Sequence, residues 1–154
     1  MRILYFSRDY TTHDRRFLAK ISQHHEVFFL RLEDDGIAHE KRLVPDGVNV
    51  VPGFASGVRS TTPESRLRLM PEYQDVIEQI RPDLIHAGPV QSCGFMTALS
   101  GFHPFLLTSW GSDILVDADR DAFWRWMTRL ALDHSDMFFC DCAEVSARAR
   151  EIGD

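Results

Sequence analysis

A mainly parallel α/β sheet with helices on both faces is the fold class this sequence predicts, on three observations. Short apolar runs alternate with longer stretches of helical period, the pattern of successive strand–helix–strand units. The runs are apolar throughout rather than alternating, as in strands covered on both sides. Crossovers between parallel strands are right-handed, which gives a doubly wound, Rossmann-like sheet of about six strands. A length of 154 residues suits a single domain, residues 1–154, with a core of its own.

The elements follow in order. Ile3 to Ser7 is the first strand. Asp14 to His24 places Phe17, Leu18 and Ile21 at helical spacing behind Thr12, an N-capping residue type, and His24 and His25 set cations against the end of the helix dipole. Val27 to Leu32 is the second strand and Val48 to Val51 a short third, with no assignable pattern between Glu33 and Gly47. Gly53 to Thr62 reads as a loop. Thr62, Pro63 and Glu64 then supply a cap, a residue pre-set for the first turn and a charge suited to the dipole. Leu67, Met70, Tyr73, Val76, Ile77 and Ile80 carry this helix to Arg81; Pro71 kinks or divides it and Pro82 ends it.

Asp83 to Ala87 is the fourth strand, and Val90 to Ser100 a helix of small and apolar residues stopped by Gly101. Phe105 to Ser109 is the fifth strand. Asp117 to Leu132 is an amphipathic helix with Phe123, Trp126, Met127, Leu130 and Ala131 on one side. Met137 to Cys140 is the sixth strand, and Ala143 to Ile152 the last helix, capped by Gly153.

Composition narrows the function classes. Apolar residues at 44% and charged residues at 26% are ordinary for a globular chain. A net charge of −6 argues against a general nucleic-acid binder, which needs a basic face to displace counterions. No window approaches the ~18 apolar residues of a membrane span, and the N-terminus lacks the layout of a signal peptide. Three cysteines, an odd number, make a poor disulfide framework, so the chain reads as cytoplasmic.

Most chemistry-bearing motifs are missing. No G-x-G-x-x-G follows the first strand, and no G-x-x-x-x-G-K-[ST] occurs. Gly53 to Gly57 imitates a nucleophile elbow, but serine stands fourth rather than in the middle. Asp117, Asp119 and Asp121 imitate a calcium loop, yet Ala122 and Thr128 stand where glycine and glutamate belong. They read as carboxylates of a first helical turn, and no metal site is expected. Cys140 and Cys142 share one face of a strand without a four-ligand pattern, and read as buried structural cysteines.

In doubly wound sheets, ligands sit off the carboxyl ends of the strands. Two such ends stand out. The strand Asp83 to Ala87 carries His86 and opens into Gly88-Pro89. The strand Phe105 to Ser109 runs directly into Trp110-Gly111-Ser112-Asp113. Glycine lets backbone N–H groups face a ligand, Ser112 and Asp113 offer a donor and acceptors for sugar hydroxyls, and Trp110 offers a ring face. The structural alternatives are that Asp113 caps the next turn, that Trp110 belongs to the core, and that His86 satisfies a backbone carbonyl.

The ordered set of these features resembles the N-terminal domain of family 4 glycosyltransferases, which have the GT-B fold. The resemblance runs from Met1-Arg2-Ile3-Leu4-Tyr5-Phe6-Ser7 and His13 to Leu18, through His25-Glu26-Val27 and Ile80 to Ala87, to Thr108-Ser109-Trp110-Gly111-Ser112-Asp113-Ile114 and the closing strand and helix. It implies the acceptor-binding half of a retaining transferase that moves a sugar from a nucleotide-sugar donor to a saccharide or lipid-linked acceptor. It implies no bound cofactor, the nucleotide sugar being a substrate. Gly111, Ser112, Asp113 and His86 carry over as acceptor- or sugar-binding positions, with Trp110 where many family members have histidine. The first-strand loop, which holds a glycine pair in many members, here offers Arg8, Asp9, Tyr10 and His13 to the cleft.

The resemblance further implies a C-terminal nucleotide-sugar domain beyond Asp154, without which the chain is expected to be inactive. The competing expectation is a stand-alone Rossmann-like module that binds a ligand or partner without catalysis. Phe54 and Trp110, as apolar loop residues on the ligand edge, favour the first reading. Arg66 and Arg68 beside Leu67, Leu69 and Met70 form a faint basic amphipathic patch that keeps a weak peripheral membrane contact open, against the alternative of an ordinary packed helix.

Overall fold

The computed structural model describes residues 1–34, 36–54 and 59–153. Residues 55–58 of the Gly53–Thr62 loop, and with them most of the elbow-like segment, lie outside the described residues. All six expected strands are present, helices intervene as expected of the Rossmann-like α/β class, and the pairings within each part of the chain are parallel. The chain divides into two compact units, Met1–Leu84 and Ile85–Asp154.

The first unit holds β1 (Arg2–Ser7), β2 (Glu26–Arg31) and β3 (Val48–Val50) in the order β3-β2-β1. Register sets Tyr5 opposite Phe29 and Val27 opposite Val48. Successive residues of β1 serve opposite faces. Tyr5 packs with Leu18, Val27 and Phe29 on the side of α1 (Thr12–Ile21). Phe6 stacks on Tyr73 at 4.7 Å between ring centroids, and Phe54 meets it edge-on at 5.8 Å. The unbroken apolar run is therefore covered on both sides. Phe54, expected on an open loop edge, is buried in that second cluster.

Capping decides the helix boundaries. The N-cap of α1 is Thr11 rather than Thr12, because Asp14 stands three residues after Thr11 and completes a capping box. Asp14 accepts the Thr11 N–H at 2.7 Å and the Tyr5 hydroxyl at 3.0 Å, fully buried. The helix ends at Ile21, so His24 and His25 are not in its last turn. They lie in the following turn, with both N–H groups on the Ile21 carbonyl.

Thr62 caps α2 (Pro63–Arg68) as expected, and the long helix is divided rather than bent: α3 (Met70–Ile80) starts afresh with Pro71 in its first turn. Proline has no N–H to give the Leu67 carbonyl, and its ring crowds that turn. Arg81 ends α3 in the left-handed region, φ 50°. Arg66 is buried, with its guanidinium on the Thr61 hydroxyl and carbonyl at 2.9 Å each, so of the two arginines in the basic patch only Arg68 faces solvent.

The second unit is built on β4 (Leu84–Gly88), β5 (Phe105–Thr108) and β6 (Met137–Phe139), in the order β4-β5-β6. Ile85, Ala87, Phe105 and Leu107 form its floor, with Met127, Ala131, Val145 and Ile152 buried as well. The helix after β4 opens as a wide π turn, Val90–Gly94, before α4 (Phe95–Ser100), which Gly101 closes at φ 68°. A single turn, α5 (Ser112–Leu115), follows β5.

Four expectations are corrected here. The helix expected from Asp117 starts later: Asp117–Asp119 is a 3₁₀ turn, and α6 (Ala122–Asp133) is capped by Asp121, which accepts the Phe123 and Trp124 N–H groups at 2.9 Å. Asp119 instead meets Arg125 and Arg148, each at 2.6 Å. Phe123 and Trp126 lie at the margin of the apolar stripe of α6, exposed at 43% and 48%, while Met127 and Ala131 are buried. The sixth strand stops at Phe139, which leaves Cys140 half-buried and Cys142 exposed rather than packed. Gly153 belongs to α7 (Ala143–Gly153) rather than lying beyond it. Among the described residues, no helix is long and apolar enough to cross a membrane.

Candidate functional site

The turn after β5 is the most tightly specified loop of the second unit. Gly111 sits at φ 89°, ψ −60°, a conformation that a side chain disfavours, and so lets the chain reverse from Trp110 into α5. Asp113 holds the reversal from inside. It is 3% exposed, and its carboxylate accepts the Ser109 hydroxyl at 2.5 Å and the N–H groups of Ile114 at 3.1 Å, Val90 at 3.1 Å and Trp110 at 3.3 Å. Charge-assisted hydrogen bonds of this kind are about twice as strong as neutral ones. The Ser109 oxygen also receives the Gly111 N–H at 2.9 Å.

Through Val90 the same carboxylate ties the β5 turn to the π turn after β4. Gln91 adds a second tie: its side-chain amide donates to the Asp113 carbonyl at 2.5 Å and to the Thr128 hydroxyl of α6 at 2.8 Å. Gly88 makes the approach of the two strand ends sterically feasible. A Cβ at Gly88 would lie 2.4 Å from the Thr108 carbonyl oxygen, inside van der Waals contact. The two strand ends therefore form one interlocked platform.

His86 lies within this platform at 7% exposure, its Nε2 2.6 Å from the Thr108 hydroxyl. Burial strips the imidazolium of water and pushes the His86 pKa down to about 4. At neutral pH the ring is uncharged, with one donor and one acceptor nitrogen. Of the residues singled out in this turn, Ser112 is exposed, Trp110 and Gly111 are half-buried, and Asp113 is turned inward. The parts presented outward are a hydroxyl, an indole and a peptide edge. Such a surface suits a polyhydroxylated ring, which offers hydroxyls to the serine and C–H groups to the indole.

In the first unit the loop after β1 is committed to bracing its neighbours. Asp9 meets Arg31 of β2 and His39, each at 3.0 Å, and its Oδ1 takes the Tyr10 N–H at 2.6 Å. Tyr10 stacks near Phe29, centroids 5.7 Å apart, and its hydroxyl donates to the Leu43 carbonyl at 3.0 Å. Partial burial raises the pKa of that hydroxyl above its ordinary value. His13 is exposed in the first turn of α1. Asp9 and Tyr10 thus pin the segment between β2 and β3, which the sequence left unassigned.

The sequence pattern assigns no individual role to Gln91, Thr108, Ser109, Arg31 or His39. Gln91 had a visible signal: a lone amide in an otherwise apolar or small-residue run, Val90 to Ala98, has to find partners inside. Thr108 meets His86, and Arg31 and His39 meet Asp9, only across long stretches of chain, whereas Ser109 bonds locally within its own turn. Among the described residues, no three acidic, histidine or cysteine side chains gather where they could hold a metal ion.

Compared with known families, residues 2–142 match the family described as glycosyl transferase 4-like. Compared with curated proteins, the chain finds no match.

Proposed function

The chain belongs to the glycosyl transferase 4-like family, and on that premise we propose that it supplies the acceptor-binding half of a retaining glycosyltransferase. In this reading a sugar passes from a nucleotide-sugar donor to a saccharide or lipid-linked acceptor, in the cytoplasm and as a step of polysaccharide assembly. The observation that carries the reading is the turn from Trp110 to Asp113. Asp113 spends its carboxylate on internal donors, while the Ser112 hydroxyl and the Trp110 ring stand at the surface of a preorganised platform. Preorganisation matters because ordering a loop on binding would subtract from affinity.

In this proposal Trp110 stacks on the acceptor ring, Ser112 hydrogen-bonds a hydroxyl, and Asp113 and His86 fix the turn. The groups that stabilise the departing nucleoside diphosphate are assigned to a further, nucleotide-binding domain, so turnover needs that domain joined to this one.

Equilibrium binding tests the proposal with a panel of oligosaccharides, a lipid-linked disaccharide and UDP-glucose. At least one glycan should bind, with Trp110→Ala weakening it about tenfold, the value of one aromatic contact. UDP-glucose should bind no better than free UDP. Glycan binding that ignores Trp110→Ala, or turnover by the isolated chain, would overturn the reading. A chain that retains no glycan at all would favour the non-catalytic module.

A further inference from the structure

We propose that Cys140 and Cys142 form a dithiol modification site, which closes to an intramolecular disulfide by exchange with a low-molecular-weight disulfide such as oxidised glutathione. Two cysteines one residue apart in a buried strand would be inert packing groups. These two are not in the strand: β6 ends at Phe139, Cys140 is half-buried and Cys142 is exposed. Access is the first requirement of thiol–disulfide exchange, and both meet it. Cys93, sealed at 0% exposure within the π turn, does not.

The second requirement is reach. In a fully extended strand, residues two apart are separated by about 6.6 Å between Cα atoms, near the upper limit of about 6.8 Å for a bridge, with both side chains on one side. Here the backbone bends at Asp141 and Cys142 rather than continuing extended. Cys142 immediately precedes α7, and its carbonyl is anchored by the Ser146 N–H at 3.2 Å. The Cys140 sulfur already rests 3.5 Å from that same carbonyl oxygen. One thiol therefore lies against the backbone of the residue that bears the other.

The chemistry balances in two exchanges. The thiolate of one cysteine attacks a sulfur of the external disulfide, whose S–S bond breaks, and the departing thiolate takes a proton from solvent. The second cysteine gives up its proton, attacks the protein-bound sulfur of the mixed disulfide, and expels a second molecule of external thiol. Two protein thiols are oxidised and one external disulfide is reduced to two thiols. Excess external thiol reverses both steps.

The site borders the platform described above. The Phe139 carbonyl receives the Ser109 N–H at 3.0 Å, and Val145 of α7 lies 3.9 Å from where a Cβ of Gly111 would be. The thiol chemistry itself does not rest on the glycosyl-transfer reading, and its test reads thiols rather than turnover.

The folded chain is incubated with oxidised glutathione, freed of it by rapid desalting at pH 7, and its free thiols are blocked with N-ethylmaleimide before and after unfolding; intact and peptide masses are then recorded. The wild type should lose the mass of two hydrogen atoms and both alkylation sites together, with Cys93 blocked only after unfolding. Cys142→Ser should stop at a glutathione adduct on Cys140, and Cys140→Ser at an adduct on Cys142. Stable glutathione adducts on the wild type, a disulfide-linked dimer, or thiols that stay fully alkylatable would each overturn the proposal.

Discussion

Acid should loosen this protein through one buried ring. His86 is neutral in the folded chain because burial holds its pKa at about 4, whereas an unfolded histidine titrates near about 6.5. Between those values the unfolded chain takes up a proton that the folded chain refuses, so stability falls as pH falls. The contribution is intact above about pH 6.5 and fully lost below about pH 4. At about 1.4 kcal/mol per tenfold change in proton activity, the loss reaches about 2 kcal/mol at pH 5 and about 3 kcal/mol at pH 4. Exposed acids such as Asp136, which His103 and the Phe105 N–H hold below the usual carboxylate range, add their own slope at lower pH. His86→Gln removes the titration while keeping a group able to bond Thr108, so the difference between the two proteins isolates the histidine. Urea unfolding at pH 7, 6 and 5 measures it: the wild type should lose about 2 kcal/mol more than His86→Gln over that range. Parallel curves, or a ring titrating near 6.5 by NMR in the folded chain, would refute the reasoning.

Two further outcomes follow from the same platform. Asp113→Asn should cost about 2 kcal/mol, because an amide NH₂ replaces an oxygen that faces several N–H donors, and urea unfolding that changes by less than about 0.5 kcal/mol would contradict the network. Gly88→Ala should destabilise by about 3 kcal/mol and Gly94→Ala by about 1 kcal/mol, although each new Cβ meets an atom at 2.4 Å. At Gly88 that atom is the backbone oxygen of Thr108, which cannot move without shifting β5, whereas at Gly94 it is the mobile tip of Leu107. Paired thermal melts of the two variants read the difference directly.

The first strand was legible because both of its faces are covered: Tyr5 serves one cluster and Phe6 the other, which leaves an apolar run with no polar gap, whereas the edge strands β3 and β6 are largely exposed. Proline and threonine marked the start of α2 and its division from α3 for local reasons. The misplaced boundaries share a cause. Thr11 and Thr12 are equally good capping types, and only the position of Asp14 chooses between them; Asp121 likewise takes the cap that Asp117 and Asp119 could have taken. Burial at the edges was not legible, since exposure of Trp126, Met137 and Cys142 depends on which neighbours arrive, not on residue type.

The candidate site was legible as a place but not as a division of labour. A loop that must hold its shape in water needs internal partners for its backbone N–H groups, and a short acidic side chain is well suited to collect several of them. Asp113 does this for Val90, Trp110 and Ile114 at once. The same holds for Asp9, absorbed by Arg31 and His39. Residue types that suggest ligand chemistry in a sequence are thus also the types that build the loops around a ligand. The two uses separate only when the partners are counted: a side chain with all its acceptors engaged inside sets geometry, while its neighbours, here the half-buried Trp110 and the exposed Ser112, keep surface of their own.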